Sequence, residues 1–466
     1  MSLDERVEET PSPTAQVANQ TAIEKLESVI PKRVVTQQSM LEKYRYDHIR
    51  YGRAGRPLAA ARPETTEDVQ ACLRWATEHR VPVITRGAGT GLSGGAQALD
   101  GALILSTEAM KHIDVDGRSR VVYVQPGALT GDVKRAAATE GLHYAPDPAS
   151  FEISSIGGNL ATNAGGLCCV KYGVTSTYVL GLDVVLADGR LLRLGGATIK
   201  NVAGLPLTQL FVGSEGTLGV IVGATLRLVP PPATPSTVVA TFRTLHEAGE
   251  TVVDVGRTVR PSMMELLDRV CIGLLEDYRP MGLDRTSSAL LIAQCDRVAD
   301  ARAIELIAAQ HGAIEVHLTE DPKDGELLVE ARRSVGAAHE RRGTRLSEDV
   351  AVPVGSLAAV LARIEQIGNE SDMLVSVVAH AGDGNLHPTI FYDSTDELDT
   401  GKARDVFEKI MRIAIAHGGT ITGEHGVGRS KRFMVEEQLG AEVVDVTRRL
   451  KQIFDPLGLL NPGVGF

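Results

Sequence analysis

The stretch ITRGAGTGLSGGA, residues 84–96, decides how this chain is read. A strand-like run, VPVITR, enters five glycines within nine residues: Gly87, Gly89, Gly91, Gly94 and Gly95. Glycine at that density lets backbone approach a ligand closely. The segment also contains the GxGxxG spacing of a dinucleotide-binding turn, Gly89 to Gly94, with Glu108 nineteen residues after Gly89. That reading fails on length. A parallel crossover takes a dozen or more residues and usually a helix, whereas only Gly95 to Gly101 precede the next strand, ALILS. The spacing predicts instead a loop whose N–H groups converge on a pyrophosphate, with no crossover helix.

Two more glycine clusters lie downstream: PDPASFEISSIGGNLATNAGG, residues 146–166, and FVGSEGTLGVI, residues 211–221. Three such loops in one domain point to one long ligand lying across it. Between them run the strand-like segments VVYVQP, LDVVLAD, RLLRL and LGVIVGATLRLVP. ETTEDVQACLRWATEHR reads as an acid-started helix with Val69, Cys72, Leu73 and Ala76 on its apolar face. The linker PPPATP, residues 230–235, closes this α+β region. Strand–helix patterns then resume with VVATFRT, TLHEAGETVVDVGRTV and MMELLD. The expected organisation is a disordered tail at 1–20, a helical lead-in at 21–53, a ligand-binding domain at 54–232 and a second α+β domain at 233–466.

Of 466 residues, 43% are hydrophobic and 23% charged, which excludes a mostly disordered chain. A net charge of −11 and an aromatic content of 4% argue against unaided nucleic-acid or anionic-membrane binding. No apolar run approaches the ~18 residues of a membrane span. The polar, acidic N-terminus lacks the features of a secretory or transit segment. The expected location is the cytoplasm, with peripheral membrane attachment left open. The five cysteines form no CxxC pair, which argues against an iron–sulfur cluster or zinc knuckle.

Two frames in the second half carry histidines. SVVAHAGDGNLHPTIFY, residues 376–392, reads as strand, Asp-Gly-Asn turn, strand, so His380 and His387 can meet across the reversal. GTITGEHGVGRSK, residues 419–431, surrounds Glu424 and His425 with Gly423, Gly426 and Gly428. Adjacent side chains diverge on a regular strand, so an irregular glycine backbone is needed to aim both inward. Two histidines and a carboxylate make an open catalytic metal set. Zinc is the expected ion, and manganese or iron suits the same donors. The residues alone leave a second reading open, with the histidines as solvated turn residues and Glu424 paired with Arg429.

Together the glycine loops resemble the FAD-binding domain of the vanillyl-alcohol oxidase superfamily. HAGDGNLHP, GGTITGEHGVG and the closing FDPLGLLNPG resemble the C-terminal domain of FAD-linked 2-hydroxy-acid dehydrogenases, a group that includes D-lactate dehydrogenases and the FAD subunit of glycolate oxidase. The resemblance implies an α+β fold: a two-part FAD-binding domain of that type, followed by an α+β substrate or cap domain that returns to the flavin. It implies FAD contacts at Arg86, Gly87, Ala88, Gly89, Thr90, Gly91, Leu92, Ser93, Pro146, Gly157, Gly158, Asn159, Thr162, Glu215, Gly216, Gly219, Ile221 and Asn461. Thr90 stands where relatives with covalent flavin carry a histidine, so the FAD is expected to be non-covalent. The same resemblance implies His380, His387 and Glu424 as metal ligands, His425 as catalytic base, and Arg332 and Asn385 at the substrate.

The implied reaction oxidises a small D-2-hydroxy acid, D-lactate or glycolate, to its 2-oxo acid. His425 takes the hydroxyl proton and the C2 hydride passes to flavin N5. Electrons then leave to a quinone, a cytochrome or an electron-transfer protein. A small acid is expected because Gly336, Ser347 and Thr389 stand where enzymes for D-2-hydroxyglutarate resemble one another in polar residues. A D-2-hydroxyglutarate dehydrogenase is the nearest alternative. A transferase resembling alkylglycerone-phosphate synthase, which uses FAD without net oxidation, is more remote.

Overall fold

The structure, a computed structural model, describes residues 13–49 and 52–466. Its first helix, Pro13–Val29, takes in residues expected to be a disordered tail. Proline suits a first helical position, and the helix formers after it continue the turn. Leu26 and Ile30 are fully buried. Trp75 Nε1 donates to the Ala22 carbonyl at 2.8 Å and fixes this helix to Thr66–His79. The rest of that expected tail, residues 1–12, lies outside the described residues.

The lead-in is helical only in part. Lys32 adopts φ +64°, which ends the first helix. The β-branched pair Val34–Val35 then forms a strand antiparallel to Ala59–Ala61. Thr66–His79 starts with a capping box between Thr65 and Asp68 and ends at Arg80 in the left-handed region. The expected apolar face, Val69, Cys72, Leu73 and Ala76, is buried, each large side chain contributing roughly 1.5–3 kcal/mol.

The first half holds two sheets. One runs Val34–Val35, Ala59–Ala61, Leu103–Ser106, Val83–Arg86 in spatial order. Its last two strands are parallel although residues 87–102 between them form no helix. The glycine loop is that connection. The other is a five-stranded antiparallel sheet of Ile113–Asp116, Val121–Val124, Val220–Arg227, Val179–Val185 and Leu191–Gly195.

The second half is one eight-stranded antiparallel sheet. Ser236–Phe242, Ala289–Cys295, Met263–Asp268, Leu374–His380 and Asn385–Phe391 lie side by side in its middle. Alternation divides its two faces. Met264, Leu266, Val377, Ala379, Leu386 and Ile390 face a core closed by the helices Leu245–Thr258, Val298–Gln310, Leu357–Ser371 and Glu397–Ala416. Met263, Leu267 and Val378 face the opposite way.

The chain end returns to the first half. Val83 N–H donates to the Leu459 carbonyl and Asn461 N–H to the Val83 carbonyl, both at 2.8 Å. Lys451 Nζ anchors this return by donating to the carbonyls of Thr217, 2.7 Å, and Leu460, 2.8 Å, and to Asp455 at 2.5 Å.

Candidate active site

The register of the second sheet places the histidines. Val378 pairs with His387 and His380 with Asn385, so the two histidines are diagonal neighbours on one face. Their ring centroids are 4.9 Å apart. Glu265 lies directly across from His380 on the other flanking strand. The pleat therefore groups Glu265, His380 and His387 on the face turned toward the glycine loops.

Glu424 and His425 come from the irregular loop after Glu397–Ala416, with Gly426 at φ +85° and Gly428 at φ +54°. Asp349 shapes this loop. Its buried carboxylate accepts from the amides of Gly423, 3.0 Å, Glu424, 3.1 Å, and His425, 2.9 Å, and from Thr422 Oγ1 at 2.7 Å. Lys431 braces it, donating to the carbonyls of Asp349, 2.8 Å, and Ile421, 2.9 Å, and pairing with Glu348 at 2.6 Å.

Glu424 Oε1 consequently stands 3.3 Å from both His380 Nε2 and His387 Nε2. His380 is only 6% exposed, so it is no solvated turn residue. Among the described residues, no ion pair joins Glu424 to Arg429. His425 stacks on His387 with centroids 5.0 Å apart and keeps Nε2 3.9 Å from Glu424 Oε1. Burial pushes the His425 imidazole down to about 4, outweighing the nearby Asp349 carboxylate, so it stands neutral and able to accept a proton. His380 is held well above the usual histidine range: burial opposes this, but Glu265 and Glu424 outweigh it. Glu424 is held well below the carboxylate range against burial by its two histidine neighbours.

Two imidazole nitrogens and a carboxylate oxygen converging on one point fit a divalent cation. A second grouping, Asp349, His387 and His425, is also close enough to share an ion. There three amides and a hydroxyl already converge on Asp349 Oδ2, and the other oxygen, Oδ1, stands 3.9 Å from His387 Nδ1.

The cluster opens into a cavity of about 610 Å³ whose opposite wall is the glycine loops. Gly87, Ala88, Gly89, Thr90, Gly91, Leu92 and Ser93 line it, as do Gly157, Gly158, Asn159, Thr162, Glu215, Gly216, Gly219, Ile221, Arg332 and Asn461. Among the described residues, nothing accepts from the amides of Thr90, Gly91, Leu92 or Ser93. Thr85 Oγ1 and Asn461 Oδ1 are buried without partners. A Cβ on Gly157 would come within 2.6 Å of Pro126 Cβ. Unspent donors and acceptors along a glycine-floored cleft fit a long polar cofactor such as FAD.

Three expected site residues do not line this cavity. Arg86 is buried beneath the loop, where a Cβ on Gly89 would meet its guanidinium at 2.1 Å. It supports the loop from below. Pro146, the first residue of the second glycine cluster, is not part of the cavity wall. Asn385 shares the histidine face but is covered by Gly423, whose added Cβ would lie 2.4 Å from Asn385 Oδ1. Glu215 lines the cavity, yet its side chain accepts from the amides of Val427, 2.9 Å, and Gly428, 2.7 Å. It ties the third glycine loop to the loop of His425. Ser93 adds a second tie, donating from Oγ to the His425 carbonyl at 3.1 Å.

Sequence reading missed Glu265, Asp349 and Lys431. Glu265 had a signal, a charged residue inside the apolar strand MMELLD. The pair Glu348-Asp349 had none that separates it from a solvated turn.

A glycine-floored cleft facing a largely buried two-histidine, one-glutamate cluster fits an FAD-linked oxidoreductase. The family described as "FAD linked oxidases, C-terminal domain" matches residues 231–464, and the family described as "FAD binding domain" matches residues 57–195. The glycolate oxidase subunit GlcD of Bacillus subtilis is 40% identical over 418 residues, 88% of this chain and 89% of the relative. The D-lactate dehydrogenase of Archaeoglobus fulgidus is 35% identical, covering 91% and 95%, and the D-2-hydroxyglutarate dehydrogenase of Xanthomonas citri pv. viticola is 33% identical, covering 94% and 95%. The fold matches 4-ethylphenol oxidase from Gulosibacter chungangensis with a TM-score of 0.78, at 19% identity and 98% coverage of both chains. The chain belongs to the FAD-linked oxidase family and is an FAD-dependent oxidoreductase. Among the described residues, no helix is long and apolar enough to cross a membrane.

Proposed function

We propose that the protein oxidises a small D-2-hydroxy acid, D-lactate or glycolate, to the 2-oxo acid. The observation that carries this reading is the convergence of His380, His387, Glu424 and His425 on the cavity that the glycine loops floor. The names of the three relatives, all hydroxy-acid enzymes, support the substrate class.

FAD, bound non-covalently along the glycine loops, supplies the two-electron acceptor for the C2 hydrogen. A divalent cation on His380, His387 and Glu424, with zinc the expected ion, supplies Lewis acidity toward the substrate hydroxyl. Arg332 binds the substrate carboxylate. His425 Nε2 accepts the hydroxyl proton, and burial keeps that nitrogen available. Asp349 holds the base and the glutamate ligand in one loop conformation. Glu215 and Ser93 hold that loop against the glycine-loop wall and keep bulk water from the reacting atoms.

The arginines support a monocarboxylate. Arg332, Arg333 and Arg345 all line the cavity. Each has an acidic neighbour: Glu265 at 2.6 Å, Glu326 at 2.7 Å and Glu340 at 3.4 Å, respectively. Of these three pairs only Arg332–Glu265 is buried, so one substrate carboxylate meets a buried cation beside the histidines, whereas a second would meet arginines whose partners face water and whose attraction is screened. Measuring kcat/KM for D-lactate, glycolate and D-2-hydroxyglutarate, with anaerobic flavin bleaching by each, tests the reading. A clear preference for the dicarboxylate overturns it and assigns Arg345 to the distal carboxylate. A flavin that none of the acids bleaches overturns the dehydrogenase reading itself.

A further inference from the structure

Glu265 is fully buried in the middle of an apolar strand, and both of its carboxylate oxygens are engaged on functional side chains. Oε1 is 2.7 Å from His380 Nδ1, and Oε2 is 2.6 Å from Arg332 Nε. A carboxylate only accepts, so His380 must carry its proton on Nδ1. That leaves Nε2 as the nitrogen able to offer its lone pair to a cation shared with Glu424 Oε1, 3.3 Å away; without a cation Nε2 is the donor toward that oxygen. On the other side the bond to Nε orients the guanidinium, whose two terminal nitrogens have no hydrogen-bond partner among the described residues.

Resting on the functional reading above, we propose that Glu265 is a positioning residue that sets both halves of substrate recognition: the metal-binding tautomer of His380 and the carboxylate-binding pose of Arg332. The pairing follows from strand register, because Glu265 and His380 are direct cross-strand neighbours with no loop between them to adapt. Loss of the carboxylate therefore reaches both functions together. An amide at this position has one acceptor and one donor. Either Arg332 Nε–H loses its acceptor, or His380 turns to the other tautomer and its Nε2 carries a proton instead of a lone pair.

The test is zinc titration of the FAD-loaded, chelator-stripped protein, read by calorimetry, alongside steady-state kinetics on D-lactate and glycolate. Glu265→Gln is expected to weaken zinc binding ~10–100-fold, the scale of an outer-shell partner, and to raise KM for the acid. Arg332→Lys keeps a cation beside Glu265 but loses the forked donor. It is expected to raise KM while zinc affinity stays within about threefold of the parent, well inside that outer-shell effect. Glu265→Asp keeps the charge with a shorter reach and is expected to fall between parent and Glu265→Gln; it supplies the readout should the amide variant lose its flavin. Zinc affinity in Glu265→Gln equal to the parent's, with FAD retained, overturns the proposal and leaves the functional reading standing. A parent protein that binds no zinc overturns the metal reading and this proposal with it.

Discussion

Removing the Asp349 carboxylate with Asp349→Ala should disable the site without removing the cofactor. Three backbone N–H groups, those of Gly423, Glu424 and His425, lose their acceptor in a buried setting. Each unsatisfied buried donor costs roughly 1–3 kcal/mol, so a rigid loop would lose ~3–9 kcal/mol. Glu215 and Ser93 still anchor the loop from His425 onward and Lys431 its start, so only the short Gly423–His425 stretch has to turn its amides to other acceptors, which brings the cost toward the low end. A loss of about 3–4 kcal/mol in the aligned conformation corresponds to ~10²–10³ in rate. Flavin reduction by D-lactate or glycolate, followed anaerobically by stopped-flow absorbance, should slow by that factor, and zinc affinity should fall in parallel. FAD content should stay near the parent's, because the glycine loops belong to the other sheets. Asp349→Asn keeps one acceptor oxygen and should lose less, about tenfold. Asp349→Ala reducing its flavin within threefold of the parent rate would refute the argument that this carboxylate aligns ligand and base.

His387→Ala should leave FAD content unchanged but sharply reduce bound metal in elemental analysis; equal metal in both proteins would count against the ligand set. His425→Ala should keep both FAD and metal while its flavin is reduced ~10²–10⁴-fold more slowly, the scale of a lost general base. Acid precipitation should release yellow flavin into the supernatant, since Thr90 stands at the loop position where a histidine link would form; flavin pelleting with the protein would contradict non-covalent binding.

The local signals that sequence carries well are the ones that survived contact with the structure. Five glycines in residues 87–95 describe a backbone that must bend sharply and approach a ligand, whatever surrounds it. The absence of room for a crossover helix was likewise arithmetic on chain length, although the two flanking strands proved parallel. A hairpin turn between His380 and His387 fixes their register within a few residues, so their meeting was legible too. The first helix was misjudged at its start, because its stability comes from burying Leu26 and Ile30 against a helix some forty residues later. Propensity alone is weak beside such packing.

What sequence by itself determined, then, was which backbone segments bend sharply enough to cradle a ligand and which side chains are of the types suited to the ligand and base roles proposed above. Only the tertiary structure decided who supports them. Glu265 reaches His380 across 115 positions and Asp349 reaches His425 across 76. Arg86 lies below its loop rather than within it, and Asn385 is covered by Gly423. These pairings depend on the order of strands in a sheet and on which loop folds over which face. Chain separation carries no trace of either, because a buried carboxylate and a solvated one are written with the same letter.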